Sequence, residues 1–224
     1  MDTENLTMPM DVSSINERVY NFIKTNIINL TYPPGYNLKL AKLSKQLGIS
    51  PTPIKDALFK LAGEGLIDIA PRKGTYVREL SLNDIREILQ IRIILETAVV
   101  ESIAENITDE QLSGLETIHA QMISFTFVEN DSKVYRDYLD LDGQFHILLF
   151  QILGNQQLLT IYRNLNSHIQ ICRFKLLDKT GKNPTTNSEH MAILNALQER
   201  NPAKAKQAML KHLQSIEASI ELSS

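Results

Sequence analysis

The chain has one cysteine, Cys172, and no tryptophan in 224 residues. A single thiol excludes a disulfide framework within the chain and fits a reducing compartment. No apolar run approaches the roughly 20 residues needed to span a bilayer. The first residues, MDTENLTMPMDVSS, carry no charged-then-apolar leader pattern, so a cytoplasmic protein with no membrane partner is expected. Fixed-period repeats and low-complexity tracts are absent too, which removes solenoid and biased-composition classes. Histidine is scarce, at five residues, so the placement of each is informative. A hydrophobic content of 43% suffices for a globular core.

Charge is divided unevenly. The net charge is −3, yet residues 12–78 hold ten Lys/Arg against four acids, a net of +6. Residues 81–224 hold 13 basic and 18 acidic residues, a net of −5. A basic segment beside an acidic one suggests that only the first meets a polyanion.

In the basic segment, Ile15, Val19, Phe22, Ile23, Ile27 and Leu30 form one stripe, which predicts a helix over 13–30 capped by Ser13 or Ser14. Thr31-Tyr-Pro-Pro-Gly35 ends it. A short helix over 39–47 stops at Gly48, and another, over 51–64, begins at Ser50 and ends at Gly65. LIDIAPRKGTYVREL reads as two short strands around a turn at Pro71–Gly74. Helix, helix, turn, helix and hairpin is the layout of a winged helix-turn-helix. Its third helix enters the major groove, where base edges are distinguishable. The expected DNA-facing residues are Lys42, Ser50, Thr52, Pro53 and Lys55, with Arg72 and Lys73 at the hairpin tip and Gly74 allowing close backbone approach.

The stretch YPPGYNLKLAKLSKQLGISPTPIKDALFKLAGEGLIDIAPRKGTYV resembles the N-terminal domain of the GntR family of bacterial transcription regulators. Pro34, Gly35, Leu38, Leu43, Leu47, Gly48, Ser50, Thr52, Pro53, Ala57, Leu58, Leu61, Glu64, Gly65, Leu66, Gly74 and Val77 carry the resemblance. Pro51 and Lys55 stand where the family pattern has arginines, and Asp56 where it has glutamate. Lysine is a point charge where arginine is a fork, which implies a different operator preference.

After Glu79 the pattern is helical throughout. Ser81 opens a helix to about Asn106, and Thr108 one over 109–129. Asp131 or Ser132 opens one to Leu153, and others follow over 156–178 and 188–200. Asn201-Pro202 caps a sixth, to about Leu222. Six helices with short loops imply an antiparallel bundle. The expected organisation is a flexible tail over 1–11, a winged helix-turn-helix over 12–79 and an all-helical metal- and effector-binding domain over 80–224. The fold class is mainly α.

Asp142 and His146 are spaced i,i+4 and share a helix face. His190 opens one apolar-periodic segment and His212 lies within another. One carboxylate with three imidazoles suits Zn²⁺ or another borderline transition metal. The region also resembles the FCD ligand-binding domain of the FadR subfamily. The carrying strings are Arg92, Leu95 and Glu96; Asp142, Phe145 and His146; Glu189, His190 and Ile193; and Ala205, Met209, His212 and Leu213. Six helices rather than seven is similar to the VanR-like branch. The resemblance implies that Asp142, His146, His190 and His212 bind a divalent metal, with Zn²⁺ first and Ni²⁺ or Mn²⁺ next.

Open metal positions suit a small organic-acid effector. Arg92 is the candidate second grip on it, followed by His168, Arg173 and Asn187. The alternative for Arg92 is an i,i+4 ion pair with Glu96. His119 reads as structural. The function expected is a DNA-binding regulator, a repressor, acting as a homodimer on a pseudo-palindromic operator. Three alternatives stand beside it: a metallohydrolase using the same quartet, a regulator sensing the metal itself, and a metal-free bundle sensing an acyl ligand. Glu189, adjoining His190, points off that helix face and offers the hydrolase no base.

Overall fold

The computed structural model describes residues 14–126, 132–180 and 186–221, without the side chains of 132, 172–180 and 219–221. The chain divides into two compact units, Met1–Leu80 and Ser81–Ser224. The expected tail over 1–11, the Ser13 and Asp131 caps and residues 181–185 of a loop expected over 181–187 lie outside the described residues, while Thr186 and Asn187 of that loop already belong to a helix.

In the first unit, α1 spans Ile15–Ile28, α2 Leu40–Leu47 and α3 Pro51–Gly63, followed by β1 at Ile67–Ala70 and β2 at Gly74–Val77. The Ser14 hydroxyl caps α1 by accepting from the Glu17 amide. Gly48 ends α2 in the left-handed conformation at φ 66°, which glycine adopts without steric cost. Pro51 occupies the first turn of α3, where its missing N–H costs nothing. Val19, Ile23, Ile27, Leu43, Ile54, Leu58, Leu61, Leu66 and Val77 form the core.

The strands pair antiparallel, with Ile67 opposite Val77 and Ala70 opposite Gly74. The segment between α1 and α2, expected only as a breaker, extends this sheet. The Leu38 amide donates to Thr75, the Val77 amide to Tyr36 and the Gly35 amide to Val77. A third line of backbone pairing thus ties the wing to the helices.

In the second unit, α4 spans Leu82–Ala104, α5 Asp109–Ile123, α6 Ser132–Leu153, α7 Gln156–Thr180, α8 Thr186–Gln198 and α9 Pro202–Glu221. Two capping boxes start α4 and α5. Ser81 and Asp84 bond each other's backbone amides, as do Thr108 and Gln111. The Asn201 carboxamide accepts from the Lys204 amide at the start of α9. Helix α4 packs on α9, α6 and α7, and α8 lies between α5 and α9. Val100, Tyr138, Phe145, Leu149, Phe150, Tyr162, Ile193, Leu197, Met209 and Leu213 fill the interior. Among the described residues, no helix is long and apolar enough to cross a membrane.

Thr108→Ala removes one half of the α5 capping box. It should cost the second unit about 1 kcal/mol, read as a lower urea midpoint with an unchanged slope. A change below about 0.3 kcal/mol would show that the cap contributes nothing here.

Candidate metal centre

Among the described residues, seven charged or imidazole side chains are buried inside a largely apolar bundle: Arg92, Glu96, His119, Asp142, His146, His190 and His212. Each is held by the helix that carries it. The i,i+4 spacing of Asp142 and His146 aims both inward from α6, on the face that buries Tyr138, Phe145 and Leu149. His190 sits in the first turns of α8 and His212 in the middle of α9, each on its helix's apolar stripe.

Three of these imidazoles converge on one point. The His146 Nε2 lies 3.2 Å from the His212 Nε2 and 3.4 Å from the His190 Nε2. The ligand atoms of the three rings all lie within 4.8 Å of one another. Asp142 borders the same point, with Oδ1 3.5 Å from the His190 Nε2 and Oδ2 3.9 Å from the His146 Nε2. Ligands at about 2.0–2.1 Å from a tetrahedral ion stand about 3.3 Å apart. The residues present therefore fit a metal ion, with three nitrogen donors and an adjacent carboxylate.

The outer nitrogens are engaged by carboxylates. The His212 Nδ1 is 2.9 Å from the Glu189 Oε2. The His146 Nδ1 is 2.6 Å from the Glu96 Oε2, a short contact that runs off the N–H axis. Glu96 in turn takes the Arg92 Nε on its Oε1, with the Arg92 Nη2 3.4 Å from Oε2. The Tyr162 hydroxyl donates to the Glu96 Oε1 at 3.0 Å.

Burial alone raises Glu96, but Arg92 and His146 outweigh it and hold its carboxyl well below the usual carboxylate range. Burial likewise raises Glu189, and hydrogen bonds from His212 and Ser215 outweigh it, leaving a net lowering. Burial pushes His212 below the usual imidazole range despite its bond to Glu189. A neutral imidazole with Nδ1–H donating to Glu189 is the form that leaves its Nε2 lone pair for a metal.

Other expected effector residues are placed as follows. The Arg92 guanidinium forms the ion pair with Glu96, the alternative raised by its spacing. One nitrogen, Nη1, is buried with no hydrogen-bond partner. The Asn187 side chain accepts from the Tyr138 hydroxyl at 2.8 Å, and its carbonyl accepts from the His119 Nε2 at 2.9 Å. With the Tyr138–Thr186 contact at 2.6 Å, these bonds fasten the first turn of α8 to α5 and α6. Asn187 thus helps to hold the helix that carries His190. His168 is half-buried on α7, outside the triple-imidazole cluster. The Arg173 side chain lies outside the described residues.

Sequence reasoning left the partners of the outer nitrogens unidentified. Glu189 does turn away from the His190 face, as expected, but it crosses to α9 and binds His212. Its position beside His190 was the only hint. Glu96 was visible as an i,i+4 partner of Arg92, whereas its reach to His146 and the role of Tyr162 carry no sequence signal.

In the first unit, Ser50, Thr52 and Lys55 are exposed at the start of α3, and Arg72 and Lys73 are exposed at the hairpin tip. Lys42 is also exposed, with its Nζ 3.2 Å from the Tyr36 hydroxyl. One expectation is corrected. Pro53 is buried with Ile54, Ala57 and Leu58, so its ring packs the helix and does not face outward. Gly74, at φ 135°, has in addition a role in its own hairpin. A Cβ there would stand 3.2 Å from the Tyr76 ring, whose hydroxyl donates to the Lys73 carbonyl and braces the tip.

The model of the bacterial regulatory proteins of the gntR family matches residues 15–77, and that of the FCD domain matches residues 87–215. The chain belongs to the GntR family and carries an FCD domain. It is 31% identical over 207 residues to the HTH-type transcriptional repressor RspR of Escherichia coli strain K12, covering 92% of this chain and 89% of RspR. It is 31% identical to the regulator YdhC of Bacillus subtilis over 86% of this chain and 85% of YdhC. The solved structure of E. coli McbR/YncC shares the fold at TM-score 0.78 and 20% identity, covering 94% of this chain and 99% of that one. A GntR regulator from Rhodococcus sp. RHA1 does so at TM-score 0.78 and 20% identity, over 93% and 98%. This GntR chain is a DNA-binding transcription regulator and not an enzyme. The winged helix-turn-helix meets DNA and the FCD domain meets a small-molecule effector.

Arg92→Met strands Glu96 in the interior and should destabilise the metal-free second unit by about 3–5 kcal/mol. Adding Glu96→Met should recover more than half of that loss, because an apolar pair replaces an ion pair at similar volume. Urea denaturation of the single and double variants checks both values. An additive double loss would mean that the two side chains are not coupled.

Proposed function

We propose that this regulator is a repressor that holds one divalent transition metal on Asp142, His146, His190 and His212 and uses it to bind a small carboxylate effector. The observation that carries the reading is the convergence of three Nε2 atoms at 3.2–3.4 Å beside the Asp142 carboxylate. Two-nitrogen pairs at that spacing, with their lone pairs facing, repel one another in a low-dielectric interior unless a cation or proton stands between them. Zn²⁺ suits the borderline nitrogen-rich set best, with Ni²⁺ and Mn²⁺ as the other candidates. When bound, the metal supplies positive charge and an open position for an anion's oxygen.

The protein's own contribution is the second contact. The Arg92 Nη1 is a buried donor without a partner, and a buried unsatisfied donor costs about 1–3 kcal/mol. A carboxylate bridging the metal position and Nη1 removes that cost. His168 and Arg173, both on α7, are secondary candidates for the far end of the effector. The FadR subfamily and its VanR-like branch are the placement favoured by the six-helix bundle.

On the DNA side, Ser50, Thr52 and Lys55 read the major groove, and Arg72 and Lys73 take phosphates or the minor groove. A homodimer presents two such helices to a pseudo-palindromic operator, in the cytoplasm. Effector binding alters operator affinity through a coupling of about 1–3 kcal/mol, and only if the two conformations bind the effector unequally.

Elemental analysis of purified protein should find about one metal ion per chain, reduced to a small fraction in His190→Ala. Absence of stoichiometric metal from both would sink the metal reading and favour a metal-free acyl site. Operator affinity measured against metabolite at fixed free metal, and the reverse, separates a metabolite sensor from a metal sensor. Lys55→Ala should lower operator affinity by about 1–3 kcal/mol and relax base preference, whereas Lys73→Ala should weaken binding uniformly and reduce the salt slope by about 1. Equal effects of both on every sequence would remove Lys55 from base reading.

A further inference from the structure

We infer that Glu96 and Glu189 are positioning residues that select which nitrogen of His146 and of His212 faces the metal position. The inference rests on the metal reading above and adds the residues that set up its ligands.

A neutral imidazole has one N–H and one lone pair, and only the lone pair can take a metal. A carboxylate accepts but does not donate, so an imidazole nitrogen held against one carries the proton. Glu189 stands 2.9 Å from the His212 Nδ1, and Glu96 stands 2.6 Å from the His146 Nδ1. Both rings are thereby held as Nδ1–H, with Nε2 lone pairs turned to the same point. The His212 hydrogen bond to Glu189, and the carboxylate held against the His146 Nδ1, also make each opposite nitrogen a stronger donor.

Glu96 is itself fixed. Its Oε1 accepts from the Arg92 Nε and from the Tyr162 hydroxyl, and its Oε2, which the Arg92 Nη2 reaches only at 3.4 Å, faces His146 at 2.6 Å. Four helices contribute to this chain of contacts: α4 through Arg92 and Glu96, α6 through His146, α7 through Tyr162 and, across the shared point, α9 through His212. Glu96 is fully buried, whereas the Glu189 side chain is 15% exposed. Water can substitute in part for Glu189 but not for Glu96, so the α4 carboxylate matters more.

Glu96→Gln tests this without a large change of volume. Arg92 and Tyr162 both donate, so the glutamine carbonyl must face them and its NH₂ must face His146. The ring then has to present a lone pair at Nδ1 and carry its proton on Nε2, which blocks the metal position. Two readouts follow. Long-range ¹H–¹⁵N correlation spectra of the metal-free protein should show His146 as Nδ1–H in the wild type and as Nε2–H in the variant. Competition with a zinc chelator should show Zn²⁺ affinity lower by about 10- to 100-fold, and by less in Glu189→Gln.

An Nε2–H tautomer at His146 and at His212 in the wild-type protein would overturn the inference. So would a Glu96→Gln protein that keeps both the wild-type tautomer and the wild-type affinity. If Glu96→Gln does not fold, Glu189→Gln with the His212 resonances decides the matter by the same two readouts. Failure of the wild type to bind Zn²⁺ counts against the metal reading alone, because the tautomers are read without metal.

Discussion

The second unit is organised around a carboxylate that has no access to water. Moving an ionised side chain into a protein interior costs several kcal/mol even after relaxation, and Glu96 is fully buried. It is tolerated because Arg92, one helical turn away, supplies the opposite charge, Tyr162 supplies a further hydrogen bond and His146 a close polar contact. Each partner must then be held where it is. The stacking of Phe150 on Tyr162, at 4.1 Å between ring centres, positions the phenol. The apolar face of α6 positions His146. Helices α4, α6 and α7 are thus matched in register by one polar requirement, and the apolar core supplies the driving force around it.

That requirement also explains why the site is preformed. Held open by carboxylates on the outside and by aromatic packing on the inside, the imidazoles have little freedom to separate. The Phe145 ring lies 4.7 Å from the His190 ring, and the first turn of α8 is fastened by His119, Tyr138 and Thr186. A ligand-binding site that is organised in advance loses little entropy on binding.

Much of this was legible in the chain itself. The six helices of the bundle follow apolar stripes and caps that local chemistry dictates, so their starts at Ser81, Thr108 and Asn201 are readable. The meeting of His146, His190 and His212 was legible because Asp142 and His146 are local neighbours, histidine is rare and the region resembles the FCD domain. What was not readable depends on contacts between helices. Glu189 turns off the face of His190, as the sequence suggested, yet its partner lies 23 residues away on another helix. Tyr162 looks like any core aromatic until its hydroxyl is seen on Glu96. In the first unit, Pro53 was taken for a DNA contact from its place in a motif, and it is a packing residue. Gly74, whatever its role toward DNA, also makes room for Tyr76, which the sequence does not signal. In both cases the residue type was informative but the neighbour that demands it lies outside its own segment.

The three imidazoles come from α6, α8 and α9, and His146 and His212 are 66 positions apart in sequence. An ion that joined them would close a loop of that length in the folded domain alone, unlike a covalent cross-link, which persists in the unfolded chain. It binds the folded arrangement and has no preformed site on the unfolded chain. With such an ion bound, the endurance of the bundle would be tied by mass action to the free metal around it. On the proposed reading, a drop in metal supply would act on this regulator twice, once through the anchor for its effector and once through the lifetime of the domain that holds it.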